Sequence, residues 1–165
     1  MEDASIDHIL SIPWAKALIE DPKWKRARTP SRTPKSTGED GFFATTLATD
    51  RTLRAFQTLL PALETQGKFV YHEVAAIITL GIGLDGFPQV CHGGMAATLL
   101  DEICGTFLVL SQDRQTELWK ESGALGQPPR VNFMTACRLC RTRRLLYDTD
   151  IDRSQYHLQA TDTRT

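Results

Sequence analysis

The chain has 165 residues, a formal net charge of −1 and 41% hydrophobic residues, which predicts one globular domain with a single core. Nineteen basic residues balance twenty acidic ones, which argues against a general nucleic-acid-binding surface. No apolar run reaches the roughly 18 residues of a membrane span. The acidic N-terminus lacks the basic start of a secretory signal. We therefore expect a cytoplasmic protein without a nucleic-acid partner or a membrane span.

The first third of the chain predicts helices joined by a basic segment. Residues 5–20 place apolar side chains three and four apart, as in an amphipathic helix, and Pro13 interrupts that pattern. Residues 25–41 are basic and proline-rich, and they predict either a linker that contacts a phosphate or an acidic surface, or a solvated loop. Thr52–Thr65 predicts a further helix. We assign residues 1–66 to an N-terminal helical extension and this basic linker.

The middle of the chain changes from strand to helix patterning. Residues 68–82 are rich in β-branched and aromatic side chains and predict one or two strands. A loop rich in glycine and proline follows. Met95–Leu110 is the longest apolar stretch, which predicts a helix inside the fold that ends in the polar residues 111–114. Residues 67–136 are assigned to a partial α+β domain.

The end of the chain is predicted to be irregular. Residues 137–165 are charged and show no sustained alternation, so we place no buried strand there and expect an aberrant or disordered tail, as in a shifted reading frame. Cys137 and Cys140 have metal-ligand spacing, but no second pair accompanies them, and we predict no metal site. The four cysteines are too few for a disulfide framework and are expected to be thiols.

The sequence His92-Gly93-Gly94 lies between the loop and the apolar helix. The first N–H groups of a helix lack internal partners and carry partial positive charge. A carbonyl oxygen placed against them would be polarised, and an oxyanion there would be stabilised. We interpret the Gly93 amide as an oxyanion-binding group. The alternative is a tight loop-to-helix turn with glycines needed for packing.

Asp101 is predicted to be a functional carboxylate, because it lies in the apolar middle of the helix. Burial of an unpartnered carboxylate there would be costly. Gly94, Thr98 and Gly105 share its helix face, which would let a ligand pass close to the acid. The alternative is a buried acid hydrogen-bonded to a neighbouring turn. Glu102 points about 100° away from Asp101 and is interpreted as a structural acid.

Gly93 and Asp101 are too far apart to act together within one chain. Eight residues separate them, which is about 12 Å along a helix. If both contact one substrate, two helices must meet antiparallel, which predicts a two-fold dimer with two equivalent sites.

The run HGGMAATLLDE resembles the hotdog-fold thioesterases of the phenylacetic-acid-degradation type, and the leader SIPWAKALIEDP resembles that of fungal members. The resemblance covers roughly residues 9–110. It implies an α+β hotdog fold, in which an antiparallel sheet wraps a long central helix, assembled as homodimers or tetramers. In that family further strands follow the helix, and we expect them to be incomplete or aberrant here.

The resemblance also implies roles for individual residues. Asp101 would act as general base or nucleophile, the Gly93 amide would bind the thioester oxygen, and His92 would shape the turn. No metal or redox cofactor is implied, since coenzyme A or a carrier arm belongs to the substrate.

The predicted substrate-contacting positions are Gly94, Thr98 and Gly86. Many relatives carry an asparagine where this chain has Gly86. No amide side chain at this position can therefore hold a water molecule or the substrate carbonyl in place.

Two functions follow from these expectations. The first is hydrolysis of an acyl thioester, either acyl-coenzyme A or an acyl carrier. The alternative is a truncated or degenerate hotdog chain without catalysis, which binds acyl groups or a partner. A lyase or dehydratase ranks below both, because no second positioned acid–base pair is present.

Overall fold

The computed structural model describes residues 2–65, 70–128, 130, 141–147 and 155–161. These residues form an α+β fold, as the sequence predicts. The elements are α1 (Glu2–Leu10), α2 (Pro13–Glu20), β1 (Trp24–Ala27), β2 (Leu53–Pro61), β3 (Glu73–Leu80), β4 (Asp85–Phe87), β5 (Val90–Cys91), α3 (Gly93–Glu121), β6 (Arg141–Tyr147) and β7 (Gln155–Thr161). Short helical turns at Pro30–Arg32, Phe42–Thr46 and Ile82–Leu84 connect them.

The main sheet has five strands in the order β1-β2-β3-β7-β6, and every neighbouring pair is antiparallel. At its centre, Phe56 of β2 lies opposite Ile78 of β3, which in turn lies opposite Tyr156 of β7. Strands β4 and β5 form a separate two-stranded hairpin directly before α3. The chain therefore leaves β3 at Leu80, forms this hairpin, and then enters α3 at Gly93.

Helix α3 packs on one face of the sheet through residues spaced four apart. Met95, Leu99, Ile103 and Phe107 are buried in a cluster that includes Phe56 and residues of β3. This spacing keeps their side chains on one side of the helix. The sheet thus fixes the orientation of α3. Asp101 and Val109 on its other side are exposed, whereas Leu108 is buried.

Helices α1 and α2 cover the other face of the sheet. Ile9, Ile12 and Ala15 are buried against alternate residues of β2 and β3, including Leu59 and Ile77. Because successive strand residues point to opposite faces, both faces of β2 and β3 are buried. The predicted helical pattern and its division at Pro13 are confirmed, and these helices form a layer of the fold.

The prediction of a helix over Thr52–Thr65 is wrong, because Leu53–Pro61 is the strand β2. It pairs with β1 on one side and β3 on the other. A strand buried on both faces carries apolar residues without strict alternation, and such a run resembles a buried helix.

The basic linker is more ordered than either reading of its sequence predicts. Residues 24–27 pair with β2 as strand β1. The half-buried Arg32 donates hydrogen bonds to the carbonyl oxygens of Phe43 (2.8 Å) and Leu53 (3.1 Å). Arg28 forms an ion pair of 2.6 Å with Asp113 of α3. Hydrogen bonds therefore hold the linker against the sheet, and an ion pair joins it to α3.

Helix α3 continues beyond the predicted end at residues 111–114 and finishes at Glu121. Arg114 bridges successive turns by contacting Glu117 at 3.2 Å and Glu121 at 3.3 Å. Such pairs stabilise a helix whose surface is polar. Gly123, with φ +69, follows the helix in the left-handed conformation that commonly ends helices.

The expectation that residues 137–165 lack strands is wrong for two stretches. Residues 141–147 and 155–161 are strands β6 and β7 of the main sheet. Their sequences alternate too weakly to indicate strands. Strand β7 pairs with β3, which is distant along the chain, and β6 pairs with β7. The pair Cys137 and Cys140 lies outside the described residues.

Helix α3 is long and apolar enough to cross a membrane when judged by length and composition alone. The core helix of a soluble protein meets the same criterion, and α3 packs against β3.

Replacing Ile9 by alanine tests the packing of the N-terminal helices. Ile9 is 1% exposed, so Ile9→Ala leaves a cavity and should lower the free energy of unfolding by about 2–5 kcal/mol. Leu63→Ala is the control, since Leu63 is 84% exposed and its loss should change stability by no more than about 0.5 kcal/mol. Urea unfolding measures both, and equal small effects would contradict a packed α1.

Candidate functional site

His92 caps the N-terminus of α3 with its own side chain. Its Nδ1 atom accepts a hydrogen bond of 3.0 Å from the Gly94 N–H, while its backbone N–H donates to the Leu84 oxygen at 2.8 Å. An imidazole nitrogen accepts only when it carries no proton, so this bond requires the tautomer protonated at Nε2. The geometry supports the predicted role of His92 in shaping the turn.

Two of the predicted substrate-contacting glycines lie against His92. A Cβ atom on Gly86 would lie 3.1 Å from His92 Cα, and one on Gly94 would lie 3.1 Å from His92 Nδ1. A side chain at either position would therefore require His92 to shift by a few tenths of an ångström. This is also what the alternative of a tight turn with packing glycines requires.

Gly93 differs from these two glycines. A Cβ atom at Gly93 would meet nothing within 4 Å, so packing does not require glycine there. The residue is exposed, and its N–H has no hydrogen-bond partner among the described residues. With the Gly94 N–H occupied by His92, the Gly93 N–H remains available at the positive end of α3. A carbonyl oxygen or an anion approaching from solvent can reach it.

Asp101 is exposed, which corrects the premise that the apolar helix buries it. Its carboxylate makes no hydrogen bond or ion pair with any residue in the described part of the chain. The flanking residues Leu99 and Ile103 are buried because they point toward the sheet, whereas Asp101 points away from it. A carboxylate without partners on a helix otherwise packed in a core is available to another molecule.

The predicted face of α3 exists and is open. Gly94, Thr98, Asp101 and Gly105 are exposed or half-buried, and we call these four residues the α3 stripe. Thr98 donates its hydroxyl to the Gly94 oxygen at 2.9 Å, so this side chain is folded against its own helix. A Cβ atom at Gly105 would meet nothing within 4 Å. Beyond the stripe, Val109 is 41% exposed and extends the uncovered face.

Gly93 and Asp101 lie on the same uninterrupted helix. The rise of an α-helix places them about 12 Å apart along its axis. A single carbonyl group cannot contact both within one chain, and the structure does not bring these two predicted residues together.

Glu102 is less exposed than its neighbour Asp101. It is half-buried beside Thr106, whose hydroxyl lies 3.4 Å from its Oε1 atom. Burial raises the pKa of the Glu102 carboxyl, aided by the charges of Asp40 and Asp101, while Ser31 and Thr106 act in the opposite direction. Two of these neighbours belong to the linker. No pattern within the helix sequence could reveal them.

The segment between β3 and α3 exposes three large apolar side chains. Ile82, Phe87 and Val90 are 67%, 75% and 50% exposed. Gln89 closes the hairpin with φ +67, and its N–H donates to Asp85 Oδ2 at 3.1 Å. Exposed apolar side chains therefore lie on the chain segment that leads into α3.

Cys91 is unsuited to act as a nucleophile with the adjacent His92. Burial raises the pKa of the Cys91 thiol, and the Asp85 charge raises it further. The thiolate is the reactive form of cysteine, and these surroundings disfavour it. Among the residues that the structure describes, no group of three potential metal ligands is present.

Comparisons with known proteins found no matching family model, no matching curated protein and no matching solved structure.

Replacing Gly94 by alanine should disturb the His92 cap. The new Cβ would lie 3.1 Å from Nδ1 and 3.2 Å from Cε1 of His92, displacing the ring from the Gly94 N–H. Gly93→Ala is the matched control, since its Cβ has open space. We expect Gly94→Ala to be less stable than Gly93→Ala by about 1 kcal/mol, the usual worth of a helix cap. Equal stability of the two variants in thermal unfolding would show that the cap contributes nothing.

The raised pKa of Glu102 links stability to pH. In the window between the ordinary pKa of glutamate and its raised value in the fold, the folded chain holds a proton that the unfolded chain loses. Glu102 therefore contributes stability at pH below this window, and the contribution is lost as the pH rises through it. Glu102→Gln should remove that dependence and be the more stable form at neutral pH. Urea titrations from pH 4 to pH 8 measure it, and parallel curves for the two proteins would contradict a raised pKa.

Proposed function

We propose that this protein hydrolyses an acyl thioester at sites formed between two copies of a hotdog-type chain. The observation that carries the proposal is the pair of unpartnered groups on α3: the Gly93 N–H at its positive end and the Asp101 carboxylate on its open stripe. The first is suited to an oxyanion and the second to proton transfer or nucleophilic attack.

Two antiparallel α3 helices would complete each site. When two copies meet through their stripes about a two-fold axis, the start of one helix faces Asp101 of the other. Gly94, Thr98 and Gly105 have small side chains, which permits close approach of the helices or entry of a slender pantetheine arm. The exposed residues of α3, which point away from the sheet, support this arrangement.

The reaction is addition of water to the thioester carbonyl followed by loss of the thiol. Asp101 accepts a proton from the attacking water, and the Gly93 N–H donates to the oxygen as its negative charge develops. The C=O bond then re-forms as the C–S bond breaks, and the proton held by Asp101 passes to the departing sulfur, which leaves as a thiol. Direct attack by the Asp101 carboxylate, followed by hydrolysis of the anhydride, uses the same two groups.

The exposed apolar side chains before α3 are consistent with an acyl substrate. Ile82, Phe87 and Val90 lie on the segment that leads into His92 and expose large apolar side chains. An acyl chain beside the Gly93 amide would bury part of this surface. Each buried methylene contributes about 0.8 kcal/mol to binding.

A non-catalytic acyl-binding protein is the second candidate function. Gly86 lies against His92 and has no side chain with which to position water, which favours binding without hydrolysis. A chain of this kind would bind acyl-coenzyme A and release no free coenzyme A.

Removal of either unpartnered group should slow hydrolysis strongly without unfolding the chain. Asp101→Asn keeps shape but loses the base, and kcat/KM should fall by about 10²–10⁴. Gly93→Pro removes only the N–H, because proline suits the first helical position and His92, with φ −58 and ψ 131, already has the extended conformation required before proline. Its kcat should fall by about 10²–10³.

The measurement is release of free thiol from a panel of acyl-coenzyme A thioesters. Glu117→Gln, an exposed acid on the same helix outside the stripe, is the control and should retain activity. Hydrolysis that survives Asp101→Asn would reject the mechanism, and a folded wild-type dimer that binds the substrates without turnover would favour the second candidate.

A further inference from the structure

The basic linker contains the two Thr-Pro dipeptides of the sequence, Thr29-Pro30 and Thr33-Pro34. Proline-directed Ser/Thr kinases act on a hydroxyl directly before proline, and many prefer a basic residue three positions further on. Thr29 meets both conditions, since Arg32 follows it at that distance, whereas Thr33 meets only the first. The sequence alone therefore favours Thr29 as the acceptor.

The fold reverses this preference. Thr29 is 8% exposed, and its hydroxyl lies 2.8 Å from the hydroxyl of Thr58, which is itself 1% exposed. A kinase could reach Thr29 only after the linker separates from β2. Thr33 is exposed, and its hydroxyl makes no hydrogen bond with any described residue. Its φ of −100 and ψ of 115 are extended, the conformation in which a kinase cleft receives a peptide.

We propose that Thr33 is a phosphorylation site for a proline-directed kinase and that the fold protects Thr29. In the reaction, the Thr33 oxygen attacks the γ-phosphorus of ATP and forms a P–O bond. The bond between that phosphorus and the β,γ-bridging oxygen breaks, ADP leaves, and a base of the kinase takes the hydroxyl proton.

The surroundings of Thr33 give the modification a structural consequence. Lys35, two residues away, pairs with Asp40 at 2.6 Å and with Glu39 at 3.2 Å. Asp40 has φ +60, a left-handed conformation that is uncommon outside glycine. A phosphate adds about −1.5 to −2 charge at neutral pH and competes for Lys35. Asp40 then loses the ion pair that holds its turn.

The turn at Asp40 supports the next helical segment. The Ala44 N–H donates to the Asp40 oxygen at 2.8 Å, and the Gly41 N–H donates to the Gly38 oxygen at 3.3 Å. Weakening of the Lys35–Asp40 pair therefore weakens the hydrogen bonds that these two N–H groups donate. Asp40 also acts electrostatically on Glu102 of α3, so the change reaches the helix that carries the candidate site.

The test treats the folded full-length chain with a proline-directed kinase and ATP. The kinase is one that phosphorylates both threonines of an unstructured peptide spanning residues 27–37, which removes intrinsic sequence preference as an explanation. Phosphate is located by fragmentation mass spectrometry. We expect Thr33 to be modified at least about tenfold faster than Thr29, because Thr29 reacts only from a locally opened state.

Modification of Thr29 as fast as Thr33 would overturn the proposal, and so would a folded chain that accepts no phosphate. Thr33→Ala, a change at an exposed position, should abolish incorporation while leaving the fold intact. Amide hydrogen exchange then measures the consequence. Phosphorylation should speed exchange at Ala44 by about two- to fivefold, as expected for loss of a surface ion pair, and unchanged exchange would refute the coupling to Asp40.

Discussion

The rigidity of α3 is the constraint on which the proposed site depends. An α-helix rises by a fixed amount per residue, so the eight residues between Gly93 and Asp101 hold these groups about 12 Å apart. No side-chain rotation removes that separation. Each group is unpartnered within the described part of the chain, and each lies where another molecule can reach it. A site that uses both needs a second helix.

The remaining layers of the fold orient α3. Residues spaced four apart bury one side of the helix against β2 and β3, which turns Asp101 outward. Helices α1 and α2 cover the opposite face of the same strands. That face of the central strands is consequently unavailable for packing against a second sheet, whereas the α3 stripe is open. The α3 stripe is therefore the surface through which the proposed dimer would form.

Local signals in the sequence predicted where α3 begins and which residues share the helix face of Asp101. The glycines around His92 and the spacing of Gly94, Thr98 and Asp101 depend only on residues close in the chain. The nature of β2 depended instead on its partners, β1 and β3. A run that is apolar on both faces carries no period that separates strand from helix.

Burial was the property that sequence reasoning assigned to the wrong acid. Asp101 and Glu102 are adjacent in an apolar stretch, and their surroundings depend on which side of the helix meets another layer. Ser31 and Asp40 of the linker lie beside Glu102, and burial raises the pKa of the Glu102 carboxyl. These contacts join residues about 60 to 70 positions apart, beyond the reach of helical periodicity.

The central claim is that each site combines Gly93 of one copy with Asp101 of another. Coexpression of the Asp101→Asn and Gly93→Pro chains tests it most directly. In a mixed dimer one site would carry both lesions and the other neither. Random pairing makes half of the dimers mixed, so thioesterase activity should recover to about a quarter of the wild-type value. Recovery no greater than the sum of the two separate variants would contradict a site shared between two helices.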